Sequence, residues 1–230
     1  MLLLAFETSA KAGSVALMRD GVLLGENYQN TGLTHSQTLL CMAQSLLEQA
    51  GVTPQQVEAV AVAAGPGSFT GVRIGVAAAK GYAWGKQIPC YGTSTLEAMA
   101  LNLGVYEGVV CAAMDARRNQ VYNALFEARE GKLTRITQDR AISVEELAQD
   151  LEKLEGPKYL VGDGSRLCHQ NIPGLLLPPE HRMHQRAAGV ALAAMEMIAR
   201  GESGDANAMT PNYLRLSQAE RERAERMKKQ

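Results

Sequence analysis

Three short apolar runs open the chain. Leu2 to Thr8 suits a buried strand, Ser14 to Met18 is a second, and Asp20-Gly21 turns the chain into a third, Val22 to Tyr28. The period then changes. Leu39, Leu40, Ala43, Leu46, Leu47 and Ala50 recur at helical spacing until Gly51 ends the run, and Thr34 with Gln37 three residues on has the spacing of a capping box. Glu58 to Ala64 reads as the next strand, Gly71 to about Trp84 as a second helix rich in small residues, and Ile88 to Tyr91 as a returning strand.

Thr93 to about Leu103 reads as a helix able to bridge two lobes. After it, Val109 to Asp115, Val121 to Phe126 and Leu133 to Gln138 repeat the opening rhythm of three strands, with Glu130-Gly131 as a turn. Ser143 and Glu146 cap another helix, Pro157 precedes the strand Tyr159 to Val161, and Arg186 to Arg200 is an alanine-rich helix followed by a polar loop, Gly201 to Ala208. The expected organisation is a duplicated α/β unit: residues 1–104 as a first lobe, 105–216 as a second, and 217–230 as a charged tail. That tail holds five Lys or Arg and three Glu, a composition that suits a solvated or frayed helix better than an RNA-binding arm.

At 230 residues the chain is long enough for two lobes of about 100 residues each. Its 23 Lys plus Arg against 24 Asp plus Glu leave a formal charge of -1, so no global basic field recruits nucleic acid or an anionic membrane. Cys41, Cys90, Cys111 and Cys168 are scattered without a C-x-x-C pair and read as buried, reduced thiols. No basic segment precedes the first apolar run, and no apolar run approaches the ~18 residues of a membrane span. The expectation is a soluble, cytoplasmic protein without a membrane role.

Several segments are candidates for chemistry. His35 lies in a first helical turn, where a second histidine one turn on would complete a two-histidine chelate; that position is Leu39, and no metal site is expected. Glu7-Thr8-Ser9 ends one strand and Lys11-Ala12-Gly13-Ser14 begins the next, so hydroxyls and a glycine turn there either cradle a phosphate or form a polar β-turn. Gly65-Pro66-Gly67-Ser68-Phe69-Thr70-Gly71-Val72-Arg73 joins a strand to a helix that Ser68 or Thr70 can cap. Such a helix start suits an anion, while Gly71, Gly75 and Ala79 form a flat stripe suited to close packing against another helix. Asp115-Ala116-Arg117-Arg118 and Gly162-Asp163-Gly164 sit at strand ends in the second lobe, with bulky Arg117 where a phosphate loop prefers glycine. His181 and His184 have no third ligand nominated nearby and read as an exposed loop or helix start.

Leu4 to Ser9, His35 to Leu39, Gly65 to Arg73, Met114 to Arg118 and Pro211-Asn212-Tyr213-Leu214-Arg215 together resemble the bacterial TsaB (YeaZ) family over nearly the whole chain. The resemblance implies a two-lobed actin-like, Hsp70-like sugar-kinase (ASKHA) fold. It also implies a role in forming N6-threonylcarbamoyladenosine at position 37 of tRNAs that read codons beginning with A. In that family catalysis belongs to the paralogue TsaD, which keeps both histidines of its metal motif, and the ATPase TsaE completes the assembly.

Because Leu39 stands in the second place, the resemblance implies a non-catalytic activating subunit with no catalytic residues of its own. It further implies dimerisation with TsaD through the two helices of the first lobe, with Leu39, Leu40, Ala43, Leu46 and Leu47 on one and Gly71, Gly75, Ala78, Ala79 and Tyr82 on the other. Self-association through the same surface is expected when the paralogue is absent, and tRNA is met only through the complex. Glu7, Thr8, Ser9 and Asp115 are expected as a vestigial nucleotide site, with no cofactor tightly bound and ATP or ADP held only weakly or within the complex. Two other readings stay open: an actin-fold kinase or ATPase, with Glu7 and Asp115 as its acids, and a metallopeptidase, for which no H-E-x-x-H is present.

Overall fold

The computed structural model describes residues 1–105 and 107–215; the charged tail 217–230 lies outside them. The first lobe runs β1 (Leu2–Glu7), β2 (Gly13–Arg19), β3 (Val22–Gln29), α1 (His35–Gln49), β4 (Ala59–Gly65), α2 (Phe69–Lys86), β5 (Cys90–Ser94) and α3 (Thr95–Leu103). The chain continues through β6 (Gly108–Asp115), β7 (Gln120–Arg129), β8 (Lys132–Arg135), β9 (Arg140–Ser143), α4 (Val144–Glu152), β10 (Lys158–Val161), α5 (Ser165–Asn171), β11 (Leu175–Leu176), α6 (Glu180–Met183) and α7 (Ala187–Ala199).

The duplication suggested by strand rhythm is present in the topology. One sheet has the order β3-β2-β1-β4-β5 and the other β8-β7-β6-β10-β11, with β9 added beside β7. In both, the first three strands run antiparallel each to its neighbour and the last two join in parallel. This is the two-lobed, actin-like α/β arrangement, each lobe a mixed sheet with helices.

The central strands are buried on both faces, which is why they read as continuous apolar runs. In β1 the alternation sends Leu4 and Phe6 to one side, against Leu46 and Leu47 of α1 and Val72 and Val76 of α2. Leu3 and Ala5 go to the other side, against Ala187, Val190, Ala191 and Ala194 of α7. Burying each such leucine contributes about 1.5–3 kcal/mol relative to exposure. The second sheet is covered by α4 and α5 on one face and by α3 on the other.

Sequence order and spatial order part company at α7. Although it follows the second sheet in the chain, it packs on β1, β2, β4 and β5, and beside α3. Arg186, just before it, pairs with the buried Glu26 of β3 at 2.6 Å, and Ala188 N donates to the same carboxylate. The division at residue 105 therefore separates the two sheets, while residues 187–213 return to the first.

Several local expectations are corrected. Thr34 is the N-cap of α1 but makes no capping bond, and its hydroxyl faces Ser36 instead. Capping boxes form at Thr53 with Gln56 and at Ser143 with Glu146. Helix α2 starts at Phe69 because Ser68 accepts from Gly71 N, and Thr70 lies inside the helix. The expected strand to Gln138 ends at Arg135, since Leu125 O takes the N–H groups of both Ile136 and Thr137 and kinks the chain before β9. Cys41 is exposed, while the other three thiols are buried.

Candidate functional site

The central strands of the two sheets, β1 and β6, end in Glu7 and Asp115, and a cleft of about 660 Å³ opens between the lobes beside them. Ser9, Lys11 and the Gly67 to Thr70 loop line it from the first lobe; Asp115, Arg117 and Asp163 line it from the second. Asn212 to Arg215 form its remaining wall.

Glu7 lies beneath the cleft, 1 % exposed. Ser9 N donates to one carboxyl oxygen, and the other is buried without a hydrogen-bond partner. Burial pushes this carboxyl up to about 7; the bonds from Ser9 oppose the shift, and the charge of Asp163 across the cleft adds to it. Glu7 thus holds its proton close to neutrality. Asp163 is also raised, first by desolvation and then by the charge of Asp115, against a 3.0 Å bond from Gln185 Nε2.

Thr8 and the glycine loop belong to one packed unit. Thr8 Oγ1 donates to Gly71 O at 2.7 Å, and Ser68 N donates to Ser9 O at 2.6 Å. A Cβ on Gly67 would overlap Ser9, and one on Gly71 would overlap the Thr8 carbonyl. The glycines are required because loop backbone meets β1 backbone directly. The Thr8 hydroxyl is consequently committed to α2 and unavailable to a phosphate, which corrects its assignment to a nucleotide cradle. Ser9 and Asp115 do reach the same cleft, with Glu7 below them. In the β6–β7 turn Arg117, Arg118 and Asn119 all have left-handed φ (63°, 56° and 56°), and Arg117 N donates to Asp115 Oδ1 at 2.7 Å.

His35 points at the β1–β2 turn. Its Nε2 donates to Ala10 O at 2.8 Å, and the ring covers Gly13 so closely that a Cβ there would meet Nδ1 at 2.8 Å. Leu39, one turn on, is 2 % exposed in the core. Among the described residues no three His, Cys, Asp or Glu side chains converge as a metal site. His184 faces Glu180 at 3.5 Å, and His181 is exposed.

The expected partner surface needs a correction. Leu39, Ala43, Leu46, Leu47, Gly71, Gly75 and Ala79 face the chain's own first sheet. A Cβ on Gly75 would overlap Thr8 Oγ1 and meet Val62 Cγ2 at 3.2 Å, so the small-residue stripe serves close approach of helix to strand. Leu40 is 60 % exposed, and Ala78 and Tyr82 are partly exposed. Arg73, Ala77, Gly81 and Trp84 of α2 join them on the outer surface.

Sequence reading assigned no contact to the Pro211 to Arg215 segment. Tyr213 stacks on Phe69 with ring centroids 4.5 Å apart, and its hydroxyl accepts from Arg73 Nε at 2.8 Å. The sole forewarning was the placement of both segments among the motifs that carry the family resemblance.

Residues 29–163 match the family described as TsaD: tRNA N6-adenosine threonylcarbamoyltransferase. The chain is 32 % identical to the tRNA threonylcarbamoyladenosine biosynthesis protein TsaB of Bacillus subtilis, over 96 % of each chain. It is 33 % identical to TsaB of Escherichia coli, covering 94 % of this chain and 95 % of that one. A crystal structure of a Pseudomonas aeruginosa protein described as similar to peptidase YEAZ superposes with a TM-score of 0.81 at 30 % identity, over 93 % of this chain and 99 % of the other. A second structure, YeaZ from the same organism, has a TM-score of 0.76 at 29 % identity.

Proposed function

The chain belongs to the TsaB (YeaZ) family of tRNA threonylcarbamoyladenosine biosynthesis proteins, and we propose that it acts there as a non-catalytic activating subunit of a TsaD-type threonylcarbamoyltransferase. One observation carries the non-catalytic part of this reading. The position one turn after His35 is Leu39, sealed in the core, and the His35 ring is already bonded to Ala10 O. An apolar side chain there offers no lone pair to a metal, so the transfer chemistry falls to the partner.

The proposed partner surface is the outward side of α1 and α2, with Leu40, Ala78 and Tyr82 retained from the original expectation. A leucine beside alanine and glycine surface suits packing of a paired helical layer. The same surface serves self-association when the partner is absent, TsaE joins the assembly, and tRNA is met through the complex. No cofactor is tightly held in this reading; ATP or ADP binds weakly or only in the complex, beside Ser9 and Asp115. Among the described residues no helix is long and apolar enough to cross a membrane, which suits the cytoplasmic setting of tRNA modification.

Reconstitution tests the proposal. The purified chain alone should transfer no threonylcarbamoyl group to tRNA, and adding it to the TsaD-type paralogue and TsaE should raise product formation. Transfer by the isolated chain, or undiminished transfer without it, would refute the accessory role.

A further inference from the structure

We propose that residues 209–215 form a clasp that sets the opening of the interlobe cleft, and that its releasable end is the hydrogen bond from Arg215 to Ala116. The segment is fastened to the first lobe at successive points. Lys80 Nζ donates to Met209 O at 2.9 Å, Asn212 N donates to Ala64 O at 2.7 Å, and Tyr213 is held by Phe69 and Arg73. Gly65 (φ +120°) is overlaid by the Asn212 backbone so closely that no Cβ would fit.

Among the described residues, the segment's hydrogen bond to the second lobe comes from its far end. Arg215 Nη1 donates to Ala116 O at 2.7 Å, in the turn whose next three residues are left-handed. Ala116 N is itself bonded to Gln120 O, so the receiving carbonyl sits in an internally tied turn. The opposite side of the molecule is fastened differently: α3 packs against strands of both sheets, Arg135 bonds Glu97 at 2.9 Å, and Ser94 bonds Asp139 at 2.6 Å. A back fastened by a packed helix and two side-chain bonds, and a mouth bridged by the Arg215 bond, make a hinge with a latch. Because Asn212 to Arg215 also wall the cleft, the same bond governs what can enter it. Loss of a charge-assisted bond shifts such a two-state balance by roughly tenfold or more toward the open form.

The inference is independent of the tRNA-modification reading and is tested on the isolated full chain. Spin labels at Thr31→Cys in the first lobe and Glu152→Cys in the second, both exposed positions, are placed in a Cys41→Ser background that removes the exposed native thiol. Double electron–electron resonance should give one narrow distance distribution, broadened and shifted by Arg215→Ala and restored by Arg215→Lys. Melting curves establish that each variant is folded, and if Arg215→Ala is not, Arg215→Gln takes its place. Superimposable distributions for the parent and for Arg215→Ala, or for Arg215→Gln where it is used instead, would overturn the proposal.

Discussion

Thr8 donates its side-chain hydrogen bond to the main-chain oxygen of Gly71, binding the end of the central strand to the first turn of α2. Gly75, one turn on, covers the same threonine. A leucine at Gly75 would drive into Thr8 and Val62. Overpacking costs about 1–3 kcal/mol, and the gain in helix propensity returns up to about 1 kcal/mol. Gly75→Leu should therefore lose roughly 1–2 kcal/mol, a fall of about 2–8 °C in melting temperature for a chain of this size. Thermal circular dichroism checks this; an unchanged midpoint would contradict the assignment of the stripe to the protein's own sheet.

Leu40 should behave in the opposite way. Its side chain is largely in solvent, so Leu40→Asp should alter stability by no more than about 0.5 kcal/mol. On the proposed partner surface it should weaken binding to the TsaD-type paralogue at least about tenfold. Calorimetric titration reads this directly, and full-strength binding by Leu40→Asp would remove α1 from the interface.

Glu7 predicts a pH dependence with a definite sign. Its folded-state pKa of about 7 lies above the value of 4.5 for an unperturbed carboxyl, so the folded form binds the proton more tightly than the unfolded chain. The favourable contribution is full below about pH 4.5 and is lost as pH rises through 7, an effect of about 3 kcal/mol. Glu7→Gln keeps an oxygen for Ser9 N and carries no titrating charge. Compared by urea unfolding at pH 5 and pH 8, the variant should gain on the parent at the higher pH. An equal stability difference at both values would exclude the buried acid.

Arg186 provides a test of how α7 is attached. Arg186→Ala leaves the Glu26 carboxylate, only 6 % exposed, with backbone bonding from Ala188 and no cation. Breaking a buried pair in this way costs roughly 3–5 kcal/mol, and the remaining backbone bond favours the lower end. Urea denaturation should show this loss, whereas a change below about 1 kcal/mol would mean that Glu26 is satisfied by the helix start alone.

Long regular segments were legible in the sequence for simple reasons. The β1 run and the Leu39 to Leu47 periodicity each reflect burial against a sheet, and burial is what hydrophobic spacing records. Which body a face is buried against is not recorded in spacing. Leu39 and Gly75 therefore suggested a partner when the body they face is the core beneath the first sheet of the same chain. The Thr34 box failed because a hydroxyl has several neighbours to choose from, and Ser36 was closer at hand. Tyr213 on Phe69 and Asp163 beside Gln185 join residues far apart in sequence, with no local period to betray them. At the cleft, Glu7, Ser9 and Asp115 could be named because strand ends gather at one edge of such sheets, but the commitment of Thr8 to Gly71 depends on a contact only the folded backbone defines.

The placement of α7 bears on how the protein can be made. A ribosome releases β1 to β5 long before Ala187 to Ala199, yet Leu3, Ala5, Ala16, Met18 and Ala61 are covered by that late helix. During synthesis much of that side of the first sheet stays uncovered until α7 has emerged. A nascent fragment halted after α3 would present that greasy side to its surroundings, with Val22 to Gln29 as an open sheet margin, and would be prone to cluster with other unfinished chains. Maturation of the first lobe is thus a post-release or very late event, and expression of the amino-terminal half on its own should give insoluble material.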